Sequence, residues 1–157
     1  MALNETPYIH KKSIFTIESP ALDLSCMLRT ISYKTTAAQV DVETQCDQGL
    51  TAPGKKTSTL DASFLTSFDS ADGVGDGLWN QLDALDGALL IASLKPKDAV
   101  VDSTNPAKVF KFYMPPIDFV DIQTIGDKTV LPLNFTTGAP ITCLSAAAVT
   151  AAIAALS

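Results

Sequence analysis

Residues 38–47, AQVDVETQCD, alternate without a break: Ala38, Val40, Val42, Thr44 and Cys46 fall on one side, Gln39, Asp41, Glu43, Gln45 and Asp47 on the other. An extended chain sends successive side chains to opposite faces, so this period of two predicts a strand with one covered face and one wet face. Residues 60–68 repeat the pattern, with Leu60, Ala62, Phe64, Thr66 and Phe68 set against Asp61, Ser63, Leu65 and Ser67. Between the two runs lies GLTAPGKK at 49–56, whose Gly and Pro break strand pairing and read as a loop. Two strands around it predict an antiparallel pair, joined by a connection longer than a tight hairpin requires. A loop of that length is commonly functional. Its tip exposes Leu50 and Pro53 and ends in Lys55 and Lys56, which makes these four residues candidates for contact with a neighbour.

Upstream, Leu22, Leu24, Cys26 and Leu28 alternate with Asp23, Ser25 and Met27 and predict a further strand, with Cys26 and Cys46 on covered faces as small hydrophobes. Residues 1–20 lack a sustained period, contain Pro7 and Pro20, and read as an N-terminal arm. Downstream, Leu78, Trp79, Leu82 and Leu85 fall on one face of a helix that Asp76 could cap and Gly87 could end. Residues 88–94, 108–114, 117–125 and 129–135 read as strands. Pro115-Pro116 marks a bend, and Pro132 confines the last strand to an edge or a bulge. About seven strands and one helix predict a mostly β, α+β or sandwich domain with mainly antiparallel sheets, spanning residues 21–142. The alanine-rich residues 143–157 are too short for a membrane span, and read either as a helix packed on its own domain or as an arm laid on a neighbouring subunit.

A chain of 157 residues and 16.6 kDa suits one core. Apolar residues make up 46% and charged residues 18%, with a mean hydropathy of +0.22, so some apolar surface is expected to meet other protein. The net charge is 11 − 17 = −6, which disfavours adhesion to a phosphate backbone. Between residues 57 and 94 lie six acids (Asp61, Asp69, Asp72, Asp76, Asp83 and Asp86) and no Lys or Arg. The plain reading of such a stretch is a solvated acidic face; the sharper one is charge that selects a partner.

The three cysteines show neither CxxC nor metal-ligand spacing, and no apolar segment follows the charges of MALNETPYIHKK, so folding in the cytosol with free thiols is expected. The single histidine, His10, has no nucleophile or carboxylate that the sequence places beside it, and no catalytic site is predicted. The Asp and Gly cluster at 69–77 has the composition of a calcium loop. With Gly73 at the sixth position, however, the first and twelfth ligand positions fall on Phe68 and Trp79, which cannot ligate. A turn before a helix is the better reading, and no cofactor or metal is expected.

The order of TSTLDASF, GDGLWNQLDAL, ALLIASLKP, FKFYMPP and a closing LNFTTGAPIT resembles the major tail (tail tube) protein of long non-contractile-tailed phages, the siphophage type, over about two thirds of the chain. That resemblance implies an antiparallel two-sheet β-sandwich with one flanking helix, related to the tube proteins of contractile tails and type VI secretion. It implies a structural virion protein whose hexameric rings stack into a tail tube, assembled in the host cytoplasm. Its partners would be further copies of itself and the tape-measure, tail terminator and distal tail proteins. DNA would pass through without specific binding. Six copies at −6 would carry −36 per ring, and on this reading Asp41 and Glu43 are the candidates for repelling charge at the lumen. The alternative class is a binding module, either a phage decoration or adhesion domain or a small-ligand barrel, which would need a concave pocket lined by polar groups.

Overall fold

The structure, a computed structural model, describes residues 12–18, 21–41, 51–65, 77–117 and 130–157. Its strands are β1 (Ile14–Glu18), β2 (Ala21–Asp23), β3 (Leu28–Asp41), β4 (Thr51–Leu65), β5 (Leu89–Lys95), β6 (Ala107–Tyr113), β7 (Val130–Thr137) and β8 (Ile141–Cys143), with helices α1 (Leu78–Asp83) and α2 (Ala146–Leu156). Every strand pairing is antiparallel. The pairing runs β2-β1-β5-β6-β7-β4-β3, with β8 pairing β6 at residues 107–109, away from the β7 contact at Phe112.

This path folds over into two layers. β1 and β4 stand four steps apart along it, about 19 Å in a flat sheet, yet the rings of Phe15 and Phe64 are 6.2 Å apart. The fold line is where β6 meets β7, paired only at Phe112 and Thr137. Phe15, Ile17, Leu60, Phe64, Leu90, Phe110, Phe112 and Leu133 fill the space between the layers. Tyr33 stacks on Phe110 at 5.0 Å and reaches the Thr137 hydroxyl at 3.0 Å, so one residue of β3 is tied to both layers near that line. The mostly β, antiparallel fold expected from the alternating runs is the fold observed.

Several boundaries differ from the sequence reading. Ile14–Glu18, assigned above to an arm, is a strand with Phe15 and Ile17 fully buried. The strand expected through Cys26 stops at Asp23, because the Asp23 carboxylate accepts the Ser25 hydroxyl at 2.5 Å and the Ser25 N–H at 2.9 Å and closes a turn. Cys26 is consequently exposed instead of covered. β3 takes up again at Leu28 and continues to Asp41. The 49–56 segment is not a loop over most of its length: β4 begins at Thr51, so Pro53, Lys55 and Lys56 are strand residues.

α1 has six residues and Gly77 at its N-cap without a side-chain bond; Asp76 lies outside the described residues, as does the Trp79 side chain. Leu78 and Leu82 are buried as the spacing predicts. Gly87, at φ 72°, adopts the left-handed conformation that glycine tolerates and donates to the Met114 carbonyl, leading the chain into β5. Pro132 faces Ser63 of β4, and its other side meets no strand among the described residues, which suits a residue with no N–H to donate. Ile117 is outside any strand, and the rest of the strand expected to 125 lies outside the described residues.

α2 settles between the two readings of the C-terminal segment. Ser145 caps it by accepting the Ala148 N–H at 3.1 Å, and Ala152 packs with Ile91, Ala107, Val109 and Cys143 on the outer side of β5, β6 and β8. The helix therefore lies on its own domain.

Candidate assembly interface

β3 and β4 pair over almost their whole length, but β7 joins β4 only from Leu65 to Ser58. Beyond Ser58 the two strands continue as a ribbon, seven residues of β4 long, or about 23 Å at strand rise. The β3 residues on it, from Thr36 to Asp41, are all exposed. Pairing shifts between Ala37↔Lys56 and Gln39↔Pro53, so Gly54 and Lys55 share the space opposite Ala38 as a β-bulge, which bends and twists the ribbon. Glycine is needed there: a Cβ on Gly54 would stand 2.9 Å from Val40 Cγ2 and 3.0 Å from the Ala38 carbonyl oxygen.

The sequence-predicted residues meet on this ribbon. Pro53, Lys55 and Lys56 are exposed on β4, and Asp41 is exposed at the end of β3 opposite Thr51. Leu50 and Glu43 lie outside the described residues. The described residues of the ribbon carry two cations, Lys55 and Lys56, against the one carboxylate of Asp41, opposite in sign to the chain as a whole. Val40, 52% exposed, gives it an apolar tip.

Among the described residues β3 pairs with β4 alone, so its outer edge offers unpaired N–H and C=O groups along fourteen residues. The face of this layer turned away from the core is mostly polar, with Leu65, Val130 and Pro132 at one end. Ser63, Asp61 and Thr59 alternate with the buried Phe64, Ala62 and Leu60, and opposite them stand Thr30, Ser32 and Lys34. The Thr30 and Ser63 hydroxyls bond at 2.6 Å, and the Asn134 amide, turned with its nitrogen toward Asp61, donates at 3.0 Å. No helix among the described residues covers this face, whereas α2 covers the outer side of the other layer.

That other layer leaves one apolar pair bare. Leu89 and Tyr113 are directly opposite across β5 and β6 and are 46% and 68% exposed. Sequence reading missed this pair, because their apolar character suited a buried strand; only the length of α2, which stops short of them, uncovers it. It also missed residues 29–37 of β3, where Ile31 and Tyr33 alternate inward among β-branched threonines.

Among the described residues, the titratable groups that depart from their ordinary range are held by local hydrogen bonds or by burial. Hydrogen bonds from Ser25 hold the Asp23 carboxyl below the usual carboxylate range, and those from Thr104 do the same at Asp102. Lys12 is raised by its hydrogen bond to Asp98, 3.1 Å away, and burial pushes up the Cys143 thiol. No group of three or more His, Cys, Asp or Glu able to hold a metal occurs among the described residues, and no described helix is long and apolar enough to cross a membrane. A cleft of about 280 Å³ between the layers is lined by Ile31, Tyr33, Leu94, Pro96, Pro106, Ser13 and Lys108, with few polar groups to orient a small ligand.

No protein-family profile and no curated protein matches the chain. Its fold is similar to that of a chain in the solved virion of a native gene transfer agent particle, at a TM-score of 0.60 and 14% identity, covering 89% of this chain and 100% of that one. At that identity the likeness is one of fold.

Proposed function

We propose that this chain is a structural virion protein that builds a tail tube, its subunits closing into rings and the rings stacking into a conduit for DNA. The observation that carries the reading is an incomplete layer: β7-β4-β3 ends on a fourteen-residue open edge, and β3 and β4 run on past the body as an exposed ribbon. A monomer with such an edge is prone to uncontrolled pairing, and ring closure satisfies it. The fold shared with a chain of a gene transfer agent virion supports a place in a particle of that kind. The tape-measure, terminator and distal tail proteins remain the proposed partners.

The bare polar face of the same layer is the proposed lumen wall. Its Thr30 and Ser63 hydroxyls are bonded to each other, and the cation of Lys34 is matched by the carboxylate of Asp61 on the same face, so it offers passing phosphates little net positive charge to hold them. Asp41, at the end of β3, and Glu43, two residues on, keep their proposed role as repelling charge beside that wall. α2 then belongs on the outside.

Negative-stain microscopy with sedimentation velocity of the purified chain tests the reading. Stacked rings with an axial channel are the expected result; uniform monomers across concentration and salt would overturn it and favour a decoration or binding module.

A further inference from the structure

We propose that the bare Leu89–Tyr113 pair, with the carboxylates of Asp83 and Asp86 beside it, is the surface on which the β3–β4 ribbon of a second copy docks. This rests on the tube reading and names the contact between its rings. Leu89 and Tyr113 form an exposed apolar pair on a sheet face otherwise covered by α2. The acids are brought to its margin by the backbone. From Asp83, the last residue of α1, the chain turns through Asp86, both exposed, to Gly87, whose N–H bonds the Met114 carbonyl at 3.0 Å, one residue from Tyr113.

The ribbon is complementary in both respects. Lys56 and Pro53, paired with Ala37 and Gln39, lie on one face of it, with Lys55 in the bulge between them, so it presents lysines to two carboxylates and Pro53 to an aliphatic and an aromatic side chain. Its bases lie within a chain of net charge −6, so attraction to an acidic patch on another copy fixes which end of the subunit it approaches. Lys111, two residues from Tyr113 on the same face, is half-buried in a cleft that Leu89 itself lines, with Ile91 and with Leu156 and Ser157 at the end of α2, so the end of α2 borders the pair on that side. Exposed charge pairs contribute little each, so the apolar contact holds the ribbon while the charges set its register.

Charge exchange in the full chain tests this. Lys55→Glu with Lys56→Glu, and separately Asp83→Lys with Asp86→Lys, should each cut tube length at least tenfold while rings persist, and the four changes combined should restore long tubes. The same four-unit change placed at Asp98, Ala99 and Ser103 should not restore them. As a second measurement, Lys55→Cys with Asp86→Cys, in a chain also carrying Cys26→Ser and Cys46→Ser, should give a ladder of covalent multimers on oxidation of assembled tubes. Wild-type tubes together with no recovery in the combined variant, or recovery by the displaced charges, or no ladder, would overturn the docking surface and leave the tube reading standing. A wild-type chain that forms no tubes would overturn that reading itself.

Discussion

Leu82 shows how much of this fold hangs on single side chains. It is fully buried on a helix of only six residues, which has too little hydrogen bonding of its own to persist in water. Packing holds α1, so Leu82→Ala should cost about 2–5 kcal/mol and lower the melting temperature of the isolated subunit; a variant that melts normally but does not assemble would place this face in an interface instead. Asp23 works through hydrogen bonds. Its carboxylate accepts both Ser25 donors, and the Ser25 hydroxyl in turn accepts the Phe15 N–H at 3.0 Å, so a single turn fixes the start of β1. The folded carboxyl is lowered, so its stabilisation is complete above the ordinary carboxylate range and is lost as pH falls through the folded value. Thermal melts between pH 7 and 2 should therefore show a weaker pH dependence for Asp23→Asn than for wild type, since the amide keeps an acceptor oxygen but does not titrate. Equal slopes would assign acid sensitivity to other groups, Asp102 first among them.

At the scale of elements, the ribbon and the body are separable. Core residues of β4 begin at Leu60, and Ser58 is the last residue that β7 pairs. Replacing residues 38–55 by a two-residue Asn-Gly turn, which keeps Ala37 opposite Lys56, should leave the melting temperature of the subunit within a few degrees of wild type and abolish long tubes. Normal tubes from that variant would remove the ribbon from stacking. Gly54→Val is the finer probe, because its Cβ meets the Ala38 carbonyl at 3.0 Å. Faster amide exchange confined to the ribbon, without loss of global stability, is the expected result.

For the whole molecule, assembly should need nothing but the chain. Tube formation should be unchanged by chelator; loss in EDTA with rescue by Ca²⁺ would give the acidic residues 69–76 a ligand role. Replacing Asp41 and Glu43 with Lys adds four units of charge per subunit, from −6 to −2. Tubes should still form, and DNA should be retained in a salt-dependent manner. DNA passage and binding indistinguishable from wild type would place these two carboxylates away from the lumen.

Alternation alone determined that the chain is an antiparallel β protein. Leu60, Ala62 and Phe64 are buried where their period places them, and Leu78 and Leu82 where a helical period does, because the distribution of apolar residues is a local property that burial must respect. Local pattern did not determine where strands end. Thr51–Lys56 contains Pro and Gly yet is strand, because a facing β3 supplies partners and a bulge absorbs Gly54; Ile14–Glu18 has no long period yet is strand, because β2 and β5 lie on either side. The candidate interface belongs wholly to this second level. Whether Leu89, Tyr113 or Val40 is covered depends on the reach of α2 and on the overhang of β3 and β4 past β7, distances that arise only when elements remote in sequence are packed together.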